Sequence, residues 1–357
     1  MIHIAFCTDT NYVMPTGVAM ISICENNREE EITFHLVITD EGTSADEVEK
    51  KVQPLLDNAS KYGKQTKTYS LKKEQLSAFE CHGAGYISTT AFARIFLPDL
   101  LSHEISKILY LDCDIACNGS LKELWETELG DLAIAGVIDC NGTHAGYHER
   151  IKTSIDVPYI NSGVLLMNLE KWRKENLIQK VCDCAIEHQF PLLDQDTLNY
   201  YFQSNIKLLP VKYNSQTLFI FGGELQWHVD YTYLDEIRDA IKNPVIVHYL
   251  TTNKPWNDAY CPHRDIWERY KNMSIWKDCN SKKILTRFDR TDVYNNMMSV
   301  YWQDGNLFID GLKPYLRFFV AAVKLKNKSK LISISSTILN YGAGLLEKLY
   351  SWKTRKQ

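Results

Sequence analysis

Residues 107–125, KILYLDCDIACNGSLKELW, run an apolar stretch straight into two carboxylates, Asp112 and Asp114, with only Cys113 between them. A short apolar run bounded by turn formers reads as a buried strand. Ending it on two like charges needs a reason, because repulsion and loss of water both oppose ionisation. One hard cation within reach of both carboxylates supplies that reason. The same letters also suit a solvated turn, since Asp, Asn, Gly and Ser crowd "DCDIACNGS". Alone, the pair decides little, and the rest of the chain has to say what kind of strand this is.

Working outward, apolar runs of strand length alternate with helix-like segments through about the first 250 residues. "IHIAFCT" (2–8) and "TFHLVIT" (33–39) read as the first two strands, with helical spacing between them through Val18, Met20, Ile21 and Cys24. After the second strand, Ser44 and Glu47 stand at capping-box spacing, so a helix begins there despite the later Pro54. "KILYLD" (107–112), "LAIAGVID" (132–139), "SGVLLMNL" (162–169) and "PVIVHYL" (244–250) supply further buried strands. This alternation is the pattern of an α/β fold whose sheet is mostly parallel and covered by helices. Such sheets bind ligands at the carboxyl ends of their strands, where Asp112 and Asp114 fall.

Composition fits that reading. Of 357 residues, 45% are hydrophobic and 24% charged, ordinary for a soluble globular protein. The net charge of −4 is unevenly spread. From Gly311 to Gln357 there are ten Lys and Arg against one acid, Glu347. That tail also spaces Leu331, Ile334, Ile338, Tyr341, Leu345, Leu349 and Trp352 three or four apart, as one helical face would. A basic, amphipathic tail on an acidic body suggests docking to an anionic membrane surface, with Phe318, Phe319 and Trp352 inserting. The competing reading packs it on the body or on another chain. Residues 276–310 are polar and mixed, and read as a linker. No apolar run reaches the roughly 18 residues of a spanning helix, and "MIHIAFCTDTNYV" lacks the features of a signal peptide, so a cytoplasmic protein is expected, peripheral on the inner membrane face if the tail docks. The ten cysteines form no paired CxxC set and read as free, mostly buried thiols. No nucleic-acid partner is expected, and the oligomeric state is not legible.

Other strand ends carry chemistry too. His248 closes "VIVH" and Lys254 follows six residues later: a strand-end imidazole suits Mn²⁺, and the ammonium could meet a diphosphate held by the same ion. Taken singly, such a His is more often satisfied by a backbone carbonyl, and such a Lys is usually solvated. Asn161 and Ser162 precede Gly163, where the missing side chain lets a ligand approach the backbone. Asp194, Gln195 and Asp196 open a helix, with Asp194 either its N-cap or a sugar ligand. "CTDTNY" places Asp9 and Asn11 after the first strand, where a nucleotide would lie.

Six ordered stretches, "CTDTNY", "YISTTAFARIFLPDLL", "KILYLDCDIACNGSLKELW", "NSGVLLMNLEKWR", "DQDTLN" and "HYLTTNKPW", together resemble glycosyltransferase family 8 over residues 2–275. The family includes bacterial lipopolysaccharide galactosyl- and glucosyltransferases and, more remotely, glycogenin. The resemblance implies a GT-A type, Rossmann-like nucleotide-sugar-binding domain (1–275); the linker (276–310) and the helical basic extension (311–357) lie beyond it and rest on the charge and spacing above. It implies retaining, metal-dependent transfer of galactose or glucose from a UDP-hexose to a glycan, here a lipid-linked surface polysaccharide or lipopolysaccharide. Asp112, Asp114 and His248 would hold Mn²⁺ or Mg²⁺ together with the donor diphosphate, which Lys254 would contact. Asp9 and Asn11 would line the uridine and ribose site, and Arg94 would reach the donor. Asn161, Ser162, Asp194 and Gln195 would hold the transferred sugar, Gln195 near its anomeric carbon, with Asp139 bordering sugar and acceptor. Cys113 and Thr251 complete the donor-side set. Many members have Gly where this chain has Thr251, which touches the backbone contact to phosphate rather than the metal site. Two other activities fit the same fold: a nucleotide-sugar hydrolase, and a non-catalytic nucleotide-sugar sensor.

Overall fold

Strand β1 (Ile2–Thr8) is buried along nearly its whole length and runs parallel to β2 (Ile32–Asp40) on one side and to β4 (Lys107–Leu111) on the other. In this computed structural model the described residues are 1–40, 45–76, 79, 89–142, 144–222, 229–252, 254–258 and 261–279. The main sheet has seven strands in the order β3-β2-β1-β4-β7-β6-β8, with β3 Gln65–Lys72, β6 Ile134–Ile138, β7 Ile160–Asn168 and β8 Ile206–Leu208. Pairing is parallel except at β4–β7 and β6–β7. The sheet is therefore mixed and mostly parallel, as the apolar runs indicate. From β1 the chain builds outward through β2 and β3, then returns to add β4 on β1's other side. That reversal opens a crevice at the carboxyl ends of β1 and β4.

Both faces of the sheet are covered. Helix α1 (Val13–Asn26) and helix α2 (Ala45–Lys61) contribute Met20, Ile23, Val52 and Leu55 against Phe6 and Phe34. The opposite face packs Trp172, Phe92, Leu198 and Phe202 against Ile108 and Leu165. Burying one such side chain fully stabilises the fold by roughly 1.5–3 kcal/mol. Helix α2 runs unbroken through Pro54.

A second sheet changes the reading of "PVIVHYL". β10 (Ile246–His248) does not join the main sheet; it lies between β5 (Ile115–Cys117), to which it is antiparallel, and β9 (Ser215–Gln216), to which it is parallel. Asp112, Cys113 and Asp114 are thus the hinge by which the chain leaves one sheet and enters the next. The register sets His248 opposite Ile115, and the Tyr249 N–H donates to the Asp114 carbonyl at 3.0 Å. Strand pairing, rather than loop chance, brings His248 to the two carboxylates.

Of the linker and tail expected at 276–357, only 276–279 fall within the described residues. There Trp276 packs on α1 so closely that a Cβ on Gly17 would sit 2.1 Å from its ring. Among the described residues no helix is long and apolar enough to cross a membrane. Eight described cysteines are buried thiols, the burial expected of them, and Cys279 is exposed.

Candidate active site

The crevice contains a cavity of about 580 Å³, within the range that holds small-molecule ligands. At its floor, ligand atoms of Asp112, Asp114 and His248 lie within 4.8 Å of one another. His248 Nε2 is 3.6 Å from Asp112 Oδ2 and 3.3 Å from Asp114 Oδ1. Donors about 2.1 Å from an octahedral ion lie roughly 3 Å apart in adjacent positions, so the set fits a divalent cation with little adjustment. Each carboxylate commits one oxygen elsewhere. Asp112 Oδ1 accepts from Tyr110 Oη at 2.6 Å and Arg94 Nη2 at 3.0 Å, while Asp114 Oδ2 accepts from Lys254 Nζ. The remaining oxygens face the imidazole. Gly163 makes this possible: a Cβ there would lie 2.1 Å from His248 Cε1 and 2.7 Å from Asp112 Oδ2.

Beside the cluster runs a relay of side-chain amides whose orientation is fixed by backbone donors. The Ser162 N–H donates to Gln195 Oε1 at 3.1 Å, so Gln195 turns its Nε2 toward Asp139 Oδ2 and Tyr159 Oη, both at 3.3 Å. The Gly163 N–H donates to Asn161 Oδ1 at 3.0 Å, so Asn161 Nδ2 donates to Asp139 Oδ2 and to Gln195 Oε1, both at 3.1 Å. Asp139 also accepts from the Asn141 N–H at 2.9 Å. Burial pushes the Asp139 carboxyl above its ordinary range, and these donors offset that only in part.

Arg94 joins the two regions. Its buried guanidinium lies 4.3 Å from the centre of the Tyr110 ring, donates to the Ser162 and Ala91 carbonyls, and pairs with Asp112 and, at 3.2 Å, with Asp194. Burial opposes its charge, yet Asp112 and Asp194 outweigh it and hold Arg94 protonated. For Asp194 the balance goes the other way: burial pushes its carboxyl up to about 6 in spite of Arg94, with Asp112 adding repulsion. Asp114 is also buried, yet it is drawn well below the usual carboxylate range, chiefly by the Lys254 ammonium beside it.

Of the residues singled out in the sequence, Asp9, Arg94, Asp112, Cys113, Asp114, Asp139, Asn161, Ser162, Asp194, Gln195, His248, Thr251 and Lys254 all line this cavity. Asn11 does not. Its N–H donates to Asp9 Oδ1 at 2.7 Å in a turn that also binds the Tyr12 N–H, and Tyr12 takes the place on the wall. Cys113 reaches the wall while its thiol donates to the Cys7 carbonyl at 3.2 Å, back in the core. Asp194 is not an N-cap. The helix Leu193–Phe202 begins after Leu192, whose N–H donates to Asp196 Oδ2 at 2.9 Å. Asp196 is in turn clamped by Arg150 at 2.9 and 2.6 Å and by Tyr159 at 2.6 Å. Sequence reasoning missed Tyr12, Tyr147 and Trp256 on the wall, though an aromatic directly after "CTDTN" is a legible signal. It also missed the buried segment Asn214–Thr217 behind the wall, where Gln216 donates to the Ile138 carbonyl and accepts from the Cys140 N–H, bracketing Asp139.

A mixed α/β sheet with a carboxylate pair at the switch point, an imidazole from a second sheet and an amide relay makes a site with donors for a divalent cation beside the cavity. Comparison with known proteins gives the family: the profile of glycosyl transferase family 8 matches residues 3–259. The chain belongs to that family and is a glycosyltransferase. It is 30% identical over 325 residues to a lipopolysaccharide 1,2-glucosyltransferase of Escherichia coli, covering 89% of this chain and 90% of that one. It is 29% identical over 293 residues to the lipopolysaccharide 1,3-galactosyltransferase of Salmonella typhimurium, covering 78% and 80%. Among solved structures, the galactosyltransferase LgtC in complex with donor and acceptor sugar analogs superposes with a TM-score of 0.65 at 27% identity, covering 77% of this chain and 96% of that one.

Proposed function

We propose that this glycosyltransferase transfers a hexose, galactose or glucose, from a UDP-sugar to a lipid-linked glycan of the lipopolysaccharide or surface-polysaccharide class, with retention and with Mn²⁺ or Mg²⁺. The observation that carries the reading is the convergence of Asp112, Asp114 and His248 at the switch-point cavity. Those three would hold the cation, which when bound neutralises charge on the leaving diphosphate. Lys254, at the edge of the same cluster, adds a second positive charge for that leaving group. Tyr12 offers an aromatic face, 37% exposed, on which a nucleobase can stack beside Asp9. Asn161, Asp194 and Gln195 border the space for the transferred sugar.

Retention by double displacement needs a carboxylate free to attack. Asp194 is paired with Arg94, Asp139 accepts from Asn141, Asn161 and Gln195, and the amide of Gln195 is a poor nucleophile. This supports same-face substitution, in which the departing phosphate helps take the proton of the acceptor hydroxyl. Residues 1–275 would form the catalytic domain, 276–310 a linker, and 311–357 a tail that docks the enzyme on the inner face of an anionic membrane. The relatives' names support the lipid-linked class of acceptor.

Incubation with UDP-galactose or UDP-glucose, with Mn²⁺ or with EDTA, tests the reading. Metal-dependent UDP release accelerated by acceptor is expected, and abolished in Asp114→Ala. Free sugar released without acceptor dependence would make the protein a hydrolase, and binding without turnover a sensor.

A further inference from the structure

We infer that Asn214 is a positioning residue: it fixes His248 with the proton on Nδ1, so that the Nε2 lone pair faces Asp112 and Asp114. Asn214 is fully buried, lies outside the cavity wall and directly precedes β9, the strand paired with the His248 strand. The deduction starts from a backbone donor. Because the Gly163 N–H donates to Asn161 Oδ1, that atom is an acceptor. Asn214 Nδ2, 2.9 Å away, must then donate to it. The other end of the Asn214 amide is therefore its carbonyl, Oδ1, 3.0 Å from His248 Nδ1. An acceptor at that distance requires a proton on Nδ1, whatever the charge of the ring.

The consequence is chemical. A neutral imidazole with its proton on Nε2 would aim a hydrogen, not a lone pair, at the two carboxylates and could not ligate a cation there. Partners of this kind orient a ligating histidine and raise its basicity, and losing one costs roughly 10- to 100-fold in metal affinity. The same amide joins the metal side to the sugar side, since Asn161 passes on to Gln195 and Asp139. Asn214 thus has two separable duties: its oxygen serves His248, and its nitrogen serves Asn161. The first duty rests on the proposed cation role of His248, so the experiment includes a readout independent of it.

Two variants separate the duties. Asn214→Leu removes both hydrogen bonds at similar size, whereas Asn214→Asp keeps an acceptor for Nδ1–H and loses the donor to Asn161. Cation affinity is measured calorimetrically with Mn²⁺ alone, without donor. The ring proton is located by two-bond ¹H–¹⁵N spectra of ¹⁵N-histidine protein in EDTA, without any cation, His248 being assigned by its loss in His248→Gln. Circular dichroism checks folding. Expected are an Nδ1–H ring in wild type, a roughly 10- to 100-fold weaker Mn²⁺ affinity in Asn214→Leu, and affinity near wild type in Asn214→Asp with weakened UDP-sugar binding. A sole proton on Nε2 in the wild type would overturn the inference, as would wild-type affinity in a folded Asn214→Leu. If Asn214→Leu fails to fold, a loss of Mn²⁺ affinity in Asn214→Asp as large as in His248→Gln overturns it. Should the wild type bind no Mn²⁺, the cation reading falls by itself, and the spectra still decide whether Asn214 sets the tautomer.

Discussion

Thr251 has a left-handed φ of +67° on the cavity wall. Such a conformation costs a residue with a Cβ roughly 1–2 kcal/mol. Thr251→Gly would relieve this, less about 0.5–1 kcal/mol for the extra freedom glycine gives the unfolded chain. A small net gain, roughly 0.5–1 kcal/mol, is expected as a higher urea midpoint with unchanged slope; a lower midpoint would show that the threonine is not strained in place. Asp194 makes a second prediction at this scale. A pair with Arg94 at 3.2 Å would ordinarily hold a carboxylate low, but burial and Asp112 prevail and push Asp194 up to about 6. For a group raised on folding, the stability it contributes is complete below its unfolded value of about 3.9 and is lost as pH rises through about 6. Asp194→Asn, always neutral, should therefore gain on the wild type as pH rises across that window, by up to about 3 kcal/mol. Urea unfolding of both proteins in EDTA reads the difference, and a gap that stays constant with pH would refute the assignment.

At the scale of elements, the site depends on two strands passing without a side chain between them. β4 and β7 are antiparallel, with Leu111 opposite Val164, and the Asp112 N–H donates to the Gly163 carbonyl at 2.8 Å. This ladder prevents β7 from retreating, so the methyl of Gly163→Ala would displace the His248 ring instead. Mn²⁺ affinity and turnover are expected to fall at least tenfold, the range seen when support for a metal ligand is lost, while overpacking costs the fold about 1–3 kcal/mol. Calorimetry with a melting curve tests this, and a folded variant with wild-type affinity would refute it. The elements also show what local sequence can reveal. β1, β2, β4, β6 and β7 are apolar runs and legible as such, and the motif at 112–114 is legible because its companions come in order. β3 is not, because "QTKTYSLK" is a mostly exposed edge strand whose polar residues discourage further pairing. β5 has three residues and β9 two, too few to show any period. Gln216 and Asn214 act through partners far away in the chain, so nothing in "YNSQT" announces them. "DQD" offers two acids to one helix start, and only Arg94 and Arg150, remote in sequence, settle which of them faces the cavity.

For the whole molecule, the decisive contrast is between the body, which holds all but one of the chain's 44 acids, and a tail with ten bases. The last described residues pack on the body. Trp276 packs against Gly17 of α1, and Lys271 Nζ donates to the carbonyls of Lys277 and Cys279. Deleting residues 311–357 therefore leaves these contacts in place, and the truncated enzyme is expected to keep its melting temperature and its turnover on a soluble acceptor. Membrane binding should behave differently. Each Lys or Arg near an anionic surface contributes about 1 kcal/mol, enough in sum for the full chain to sediment with phosphatidylserine vesicles and for the truncated chain to stay in solution. Raising the ionic strength from about 0.1 M to about 1 M shortens the screening length from roughly 10 Å to 3 Å. It should therefore release much of the bound full-length protein, whereas neutral vesicles should bind little of it at either salt. If truncation leaves vesicle binding unchanged, the tail is not the docking element. If truncation instead lowers the melting temperature or splits an oligomer, the tail belongs against the body or a second chain, and its charge asymmetry serves assembly rather than the membrane.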